Sequence, residues 1–113
     1  MNIRIEKSGD TQIILPTGDL DMHESPKLRA TLLSEIAKKP SGLIVDFSEV
    51  NFIDSSGVAT LVEAMRAIKD VKSNLVLCQM NQKILDVFQL ARLDKIFNIV
   101  QTRAEALKNA LGE

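Results

Sequence analysis

Residues that could do chemistry are few in this 113-residue chain, and they concentrate in two short stretches. Phe52-Ile53-Asp54-Ser55-Ser56-Gly57-Val58 sets a carboxylate, two hydroxyls and a glycine in a row, just ahead of an apolar pattern with helical spacing. Gly18-Asp19-Leu20-Asp21 supplies two further carboxylates, and His23, the single histidine, follows. Such a set admits four roles: helix capping, a serine nucleophile, a hard-cation site, or an acceptor for phosphate.

Capping is the simplest. Asp54 or Ser55 makes a good N-cap, and a hydroxyl two or three residues on helps satisfy the orphan N–H groups of a first turn. Capping does not require Gly57, which inside a first turn costs about 0.5–1 kcal/mol relative to Ala. The sequence therefore predicts an accessible helix start, which a partner's backbone or a phosphate can approach. A Ser55–His23–Asp21 triad is weakly supported. No G-x-S-x-G elbow surrounds the serine, and the chain holds only one histidine. Asp19, Asp21, Asp46 and Asp54 are oxygen donors suited to magnesium. Carboxylates at such positions are more often turn formers and caps, although they could meet a metal carried on a partner's nucleotide. The reading is a non-enzyme with no cofactor and no resident metal.

Composition narrows the partners. Fourteen basic against fifteen acidic residues give a net charge of -1, so no basic field favours nucleic acid. The four aromatic residues are all Phe, too few for the stacking platforms of single-strand binders. Apolar runs are too short to span a bilayer, and the start, MNIRIEKSGD, has no apolar leader, so no membrane insertion and a cytoplasmic location are expected. Cys78, the single cysteine, has no disulfide or zinc partner and ends a buried run, which points to the core. With 45% hydrophobic and 26% charged residues, one domain over residues 1–113 is expected.

The elements that must position these residues follow from periodicity. Ile3 and Ile5 alternate with polar neighbours, Ser8-Gly9-Asp10 turns the chain, and Thr11 to Thr17 forms the second strand of a hairpin, with Pro16 near its end. Gly18-Asp19-Leu20-Asp21 breaks the pattern, and a helix follows with Ser25 as N-cap, Pro26 first, and Leu28, Leu32, Leu33 and Ile36 as its stripe. Leu43 to Phe47 and Leu75 to Met80 read as buried parallel strands. Val58, Leu61, Val62, Met65 and Ile68 mark the helix between them. Asn81 caps a short helix to about Leu90, with Ile84, Val87 and Phe88 inward; Phe97 to Val100 is a last strand. Thr102-Arg103-Ala104-Glu105 spells a capping box for a final helix, whose inner face is Leu107 and Leu111. The order ββαβαβαβα predicts an α/β fold: a single mostly parallel sheet with one antiparallel edge strand and helices packed against it. Loops after parallel strands emerge on one edge, where sites gather. Gly18 to Glu24, Ser48 to Asp54 and Gln79 to Asn81 share that edge, so Asp21, His23, Asp54, Ser55 and Ser56 should be neighbours.

Over essentially its whole length the chain resembles a STAS domain, and specifically the stand-alone bacterial anti-sigma factor antagonists. The resemblance is carried by Gly18-Asp19-Leu20-Asp21, by Leu43-Ile44-Val45-Asp46-Phe47-Ser48, and most strongly by Val50 to Val58, VNFIDSSGV. It implies a partner-switching protein. The unphosphorylated form binds an anti-sigma factor that is itself a serine kinase and so frees a sigma factor. Phosphorylation abolishes binding, and a PP2C-type phosphatase restores it. The family's acceptor is the serine directly after the aspartate, Ser55, while Asp21, Asp54, Ser56 and Gly57 are expected to shape the docking edge. The alternative within the family is a regulatory subunit of a membrane lipid or ABC-type transport complex, acting through protein binding without phosphorylation.

Overall fold

A computed structural model describes residues 1–111. The hairpin forms as its turn chemistry requires: β1 (Ile3–Ser8) pairs antiparallel with β2 (Thr11–Pro16), with Gly9 at φ 59° in the turn. The β-branched runs become β4 (Gly42–Asp46) and β6 (Asn74–Cys78), and β7 (Asn98–Val100) completes a sheet of order β1-β2-β4-β6-β7. All its pairings except β1–β2 are parallel, so β1 is the one antiparallel edge strand.

The sheet is covered on both faces because its strands are apolar on both. Ile14, Leu43, Val45, Leu75 and Leu77 pack against α1 (Ser25–Ala37), α2 (Ser55–Asp70) and α3 (Gln82–Leu90) through Leu28, Leu32, Leu61, Ile68, Ile84 and Phe88. Phe97 meets Phe88 edge-on, with ring centroids 5.6 Å apart. The alternate residues Ile13, Leu15, Ile44, Val76 and Cys78 face α4 (Arg103–Ala110). Cys78 is fully buried, and burial together with the Asp46 charge pushes its thiol up to about 12.

Several details depart from the sequence reading. Two segments expected as loops form short strands, β3 (Gly18–Leu20) and β5 (Val50–Ile53), paired parallel in a sheet of their own. α1 begins one residue early: Ser25 is its first residue, after Glu24, which caps nothing. Asp21 instead caps the turn that leads into α1: its carboxylate accepts the N–H of His23 at 3.0 Å and of Glu24 at 3.1 Å. In α3, Val87 is 38% exposed and faces out. In α4, Thr102 caps as expected by accepting the Glu105 N–H at 3.1 Å, but Ala106 and Ala110 form the buried face. Leu107 is half-buried and Leu111 largely exposed. The helix lies too close for leucine there: a Cβ placed on Gly42 would sit 2.8 Å from the Ala110 Cβ.

Candidate functional site

The site is built where β3 and β5 pair. Backbone bonds from Gly18 N to Glu49 O (2.9 Å) and from Asp54 N to Leu20 O (3.2 Å) tie the two βα loops together. Gly18 takes φ 100°, a conformation that glycine alone adopts without cost. The two loops therefore deliver Asp21, His23, Asp54, Ser55 and Ser56 to one edge, at the start of α2.

Asp54 is the hub. It stands at the N-cap of α2 in extended geometry, and its Oδ1 accepts the N–H of Ser56 at 2.9 Å and of Gly57 at 3.1 Å. Ser56 donates its hydroxyl to the same oxygen, and Met22 donates its backbone N–H to Oδ2 at 3.1 Å. The Ser56 hydroxyl, with the backbone donors of Gly57, Ser56 and Met22, holds the Asp54 carboxyl below the usual carboxylate range, against some loss of hydration. Ser25 reinforces the junction by donating its hydroxyl to Asp21 O at 2.6 Å, and it lies 3.4 Å from Ser56 Oγ.

This geometry separates the two serines. Ser56 is half-buried and committed inward to Asp54. Ser55, the first residue of α2, is exposed, and among the described residues no hydrogen bond engages its hydroxyl. Gly57 overturns one expectation. It is buried beneath the edge, and an added Cβ would meet Leu20 O at 2.7 Å, Ile53 Cγ1 at 2.8 Å and Leu20 Cγ at 2.8 Å. Its glycine serves close packing of α2 on β3; it does not open the helix start to solvent.

The β3–β5 junction is rich in carboxylates. Asp19 and Asp21 on the β3 side and Asp54 beside Ser55 bring carboxylates to it, with Glu49 at the far end of β5, and among the described residues none of them joins an ion pair. Asp46 points elsewhere. It is 2% exposed and accepts from Arg103 at 3.1 Å, with Arg103 reaching on to Glu6 at 2.9 Å. The candidate carboxylates thus divide between two structural tasks, and among the described residues no cluster of three or more metal-ligating side chains forms. His23 is exposed beside Asp21, which it contacts through its backbone N–H.

The sequence reading missed the apolar part of this edge. Met22 is 68% and Phe52 50% exposed, flanking the loop that carries Ser55. A shallow, mostly apolar cleft of about 230 Å³ runs from Asn51, Phe52 and Ile53 to Lys83, Ile84 and Val87 on α3. Local spacing gave no signal for it: β5 is buried at Val50 and Ile53 and exposed at Asn51 and Phe52, so Phe52 is open although alternation pairs it with buried Val50.

The chain is similar in sequence and fold to known proteins. The anti-sigma-B factor antagonist of Listeria monocytogenes is 31% identical over 108 residues, 93% of this chain and 95% of the relative. The crystal structure of TM1081 from Thermotoga maritima matches with TM-score 0.90 at 23% identity, covering 96% of this chain and 93% of that one, which establishes the likeness of fold. The anti-sigma factor antagonist SpoIIAA in its unphosphorylated form matches with TM-score 0.75 at 25% identity over 99% of this chain and 100% of that one. Its phosphorylated form from Bacillus matches with TM-score 0.74 at 26% identity over 96% and 98%. No helix among the described residues is long and apolar enough to cross a membrane. The STAS domain model matches residues 2–106, and the chain belongs to the STAS domain family.

Proposed function

We propose that the protein is an anti-sigma factor antagonist of the partner-switching kind, and that Ser55 is its regulatory phosphoacceptor. Relatives that cover nearly the whole chain bear that function in their names, and one is known in phosphorylated and unphosphorylated forms. The single observation that carries the site assignment is the division of labour between neighbouring serines. Ser56 is tied to Asp54, whereas Ser55 offers an exposed, unengaged hydroxyl at the centre of the loop edge.

The unphosphorylated protein docks this edge on an anti-sigma factor, with Met22 and Phe52 as apolar contacts and the carboxylates of Asp19 and Asp21 facing basic groups of the partner. Asp54 and Ser56 shape the surface by holding the two loops together, and Gly57 lets α2 seat beneath it. The anti-sigma factor is also the kinase, and a PP2C-type phosphatase reverses the modification in the cytoplasm. A phosphoserine adds roughly -1.5 to -2 charge at pH 7. Asp54 already occupies the N–H groups of Ser56 and Gly57, so the helix start has little left to offer a phosphate. With acidic neighbours as well, the group acts outward, by bulk, desolvation and repulsion at the interface. An interface penalty of about 3 kcal/mol weakens binding more than a hundredfold, enough to switch partners.

Incubation with the cognate kinase and ATP, followed by mass-spectrometric mapping, tests the assignment. The phosphate is expected on Ser55 and absent from the Ser55→Ala variant. Phosphate on Ser56 or Thr60 instead would refute it.

A further inference from the structure

A second cleft lies at the opposite edge of the sheet, where the β1–β2 turn meets the connection from α1 to β4. It is a shallow, open depression of about 360 Å³ between Lys7, Asp10, Gln12, Lys38, Lys39 and Ser41. Three exposed lysines line it from two sides: Lys7 from β1, and Lys38 and Lys39 from the end of α1. The walls are anchored. Glu35 is 4% exposed, and its carboxylate takes Gln12 Nε2 at 2.7 Å on one oxygen and Lys38 Nζ at 2.8 Å on the other. Ser41 N donates to Asp10 O at 3.1 Å, which joins the two loops across the cleft.

Glu35 is therefore matched by Lys38, leaving Lys7 and Lys39 against Asp10 alone. Among the described residues neither lysine joins an ion pair. Lys39 is also held at φ 56°, in the left-handed region, and directly before Pro40. Glycine is the economical residue at such a helix end, and a residue preceding proline favours extended backbone. A lysine kept there at a conformational cost places an ammonium on the cleft wall.

We propose that this cleft binds a small anion bearing phosphate oxygens, held by Lys7 and Lys39 with the Ser41 hydroxyl. Compact ammonium donors with no carboxylate of their own suit such oxygens, and the Glu35 contacts and the Ser41–Asp10 bond fix the backbone that carries them. The site is remote from Ser55 and independent of the function proposed above.

Titration of the isotopically labelled full chain with inorganic pyrophosphate, followed by amide chemical shifts, tests it. Saturable shifts are expected at Asp10, Gln12 and Ser41, with a Kd of about 1 mM. Lys7→Gln and Lys39→Gly should each weaken binding about fivefold or more, while Lys39→Gly raises the unfolding midpoint by relieving the backbone. Lys72→Gln is the control, because Lys72 is a second left-handed lysine, after α2 and outside the cleft, and it should leave binding unchanged. A parallel titration with ATP separates sources. Equal affinity means that the phosphate oxygens alone are read, and a tighter Kd at the same amides means that a nucleotide contributes more. Shifts that fail to saturate by about 20 mM, that centre on the start of α2, or that Lys72→Gln weakens as much as Lys39→Gly would overturn the proposal.

Discussion

Replacing Gly57 by alanine separates two accounts of the glycine beside the serine pair. An exposed glycine in a helix gains about 0.5–1 kcal/mol on becoming alanine. At Gly57 the new methyl instead meets Leu20 O at 2.7 Å and the side chains of Leu20 and Ile53 at 2.8 Å. The oxygen cannot easily retreat, because it accepts the Asp54 N–H at 3.2 Å inside the β3–β5 junction. Overpacking of this kind costs about 1–3 kcal/mol, so after the helical gain a net loss of about 1–2 kcal/mol is expected. For a domain of this size that lowers the melting midpoint by roughly 5–10 °C. Urea denaturation followed by far-UV circular dichroism should show a lower midpoint at an unchanged slope. A Gly57→Ala variant as stable as the parent, or more so, would refute the close-packing account and restore the open helix start.

Three further outcomes follow from the same geometry. Ser56→Ala should cost about 1 kcal/mol through the lost bond to Asp54, while Ser55→Ala should stay within about 0.5 kcal/mol of the parent by chemical denaturation. The Asp54 carboxyl is depressed in the folded state, so its stabilising effect is present above the unfolded value of about 4 and fades as pH falls below it. The stability gap between parent and Asp54→Asn, measured by denaturation from pH 6 to pH 3, should accordingly narrow toward the acid end; a constant gap would contradict the cap's charge dependence. Arg103→Ala strands the buried Asp46 and loosens Glu6, for a loss of about 1–3 kcal/mol, tempered because Arg103 is one-third exposed. A loss below about 0.5 kcal/mol by the same assay would contradict that pairing.

The fold was legible where burial imposes a period. The β-branched and apolar runs at Leu43 and Leu75 read as strands covered on both faces, and the parallel order brought the loops of Asp21 and Asp54 to one edge. What escaped the reading depends on contacts distant in sequence. Gly18–Leu20 and Val50–Ile53 are too short to show a period, and each is a strand only because the other is there. The inner face of α4 went to Ala106 and Ala110 over leucines because Gly42, more than sixty residues earlier, lets the helix approach closely. At the site, local spacing marked Asp54 as a cap, yet nothing local showed that its second oxygen takes the Met22 N–H or that Gly57 lies beneath Leu20. The ranking of the two serines came first from family likeness. The hydrogen bond from Ser56 to Asp54 then provides a physical reason for it.

The central claim is that Ser55 sets the affinity of the loop edge for an anti-sigma factor. Calorimetric titration of the cognate anti-sigma factor with the unmodified protein, Ser55→Ala and the Ser55-phosphorylated protein measures it directly. Binding by the first two within about threefold of each other, and a loss of a hundredfold or more on phosphorylation, is the predicted result. Equal affinity of the phosphorylated and unmodified forms would contradict it.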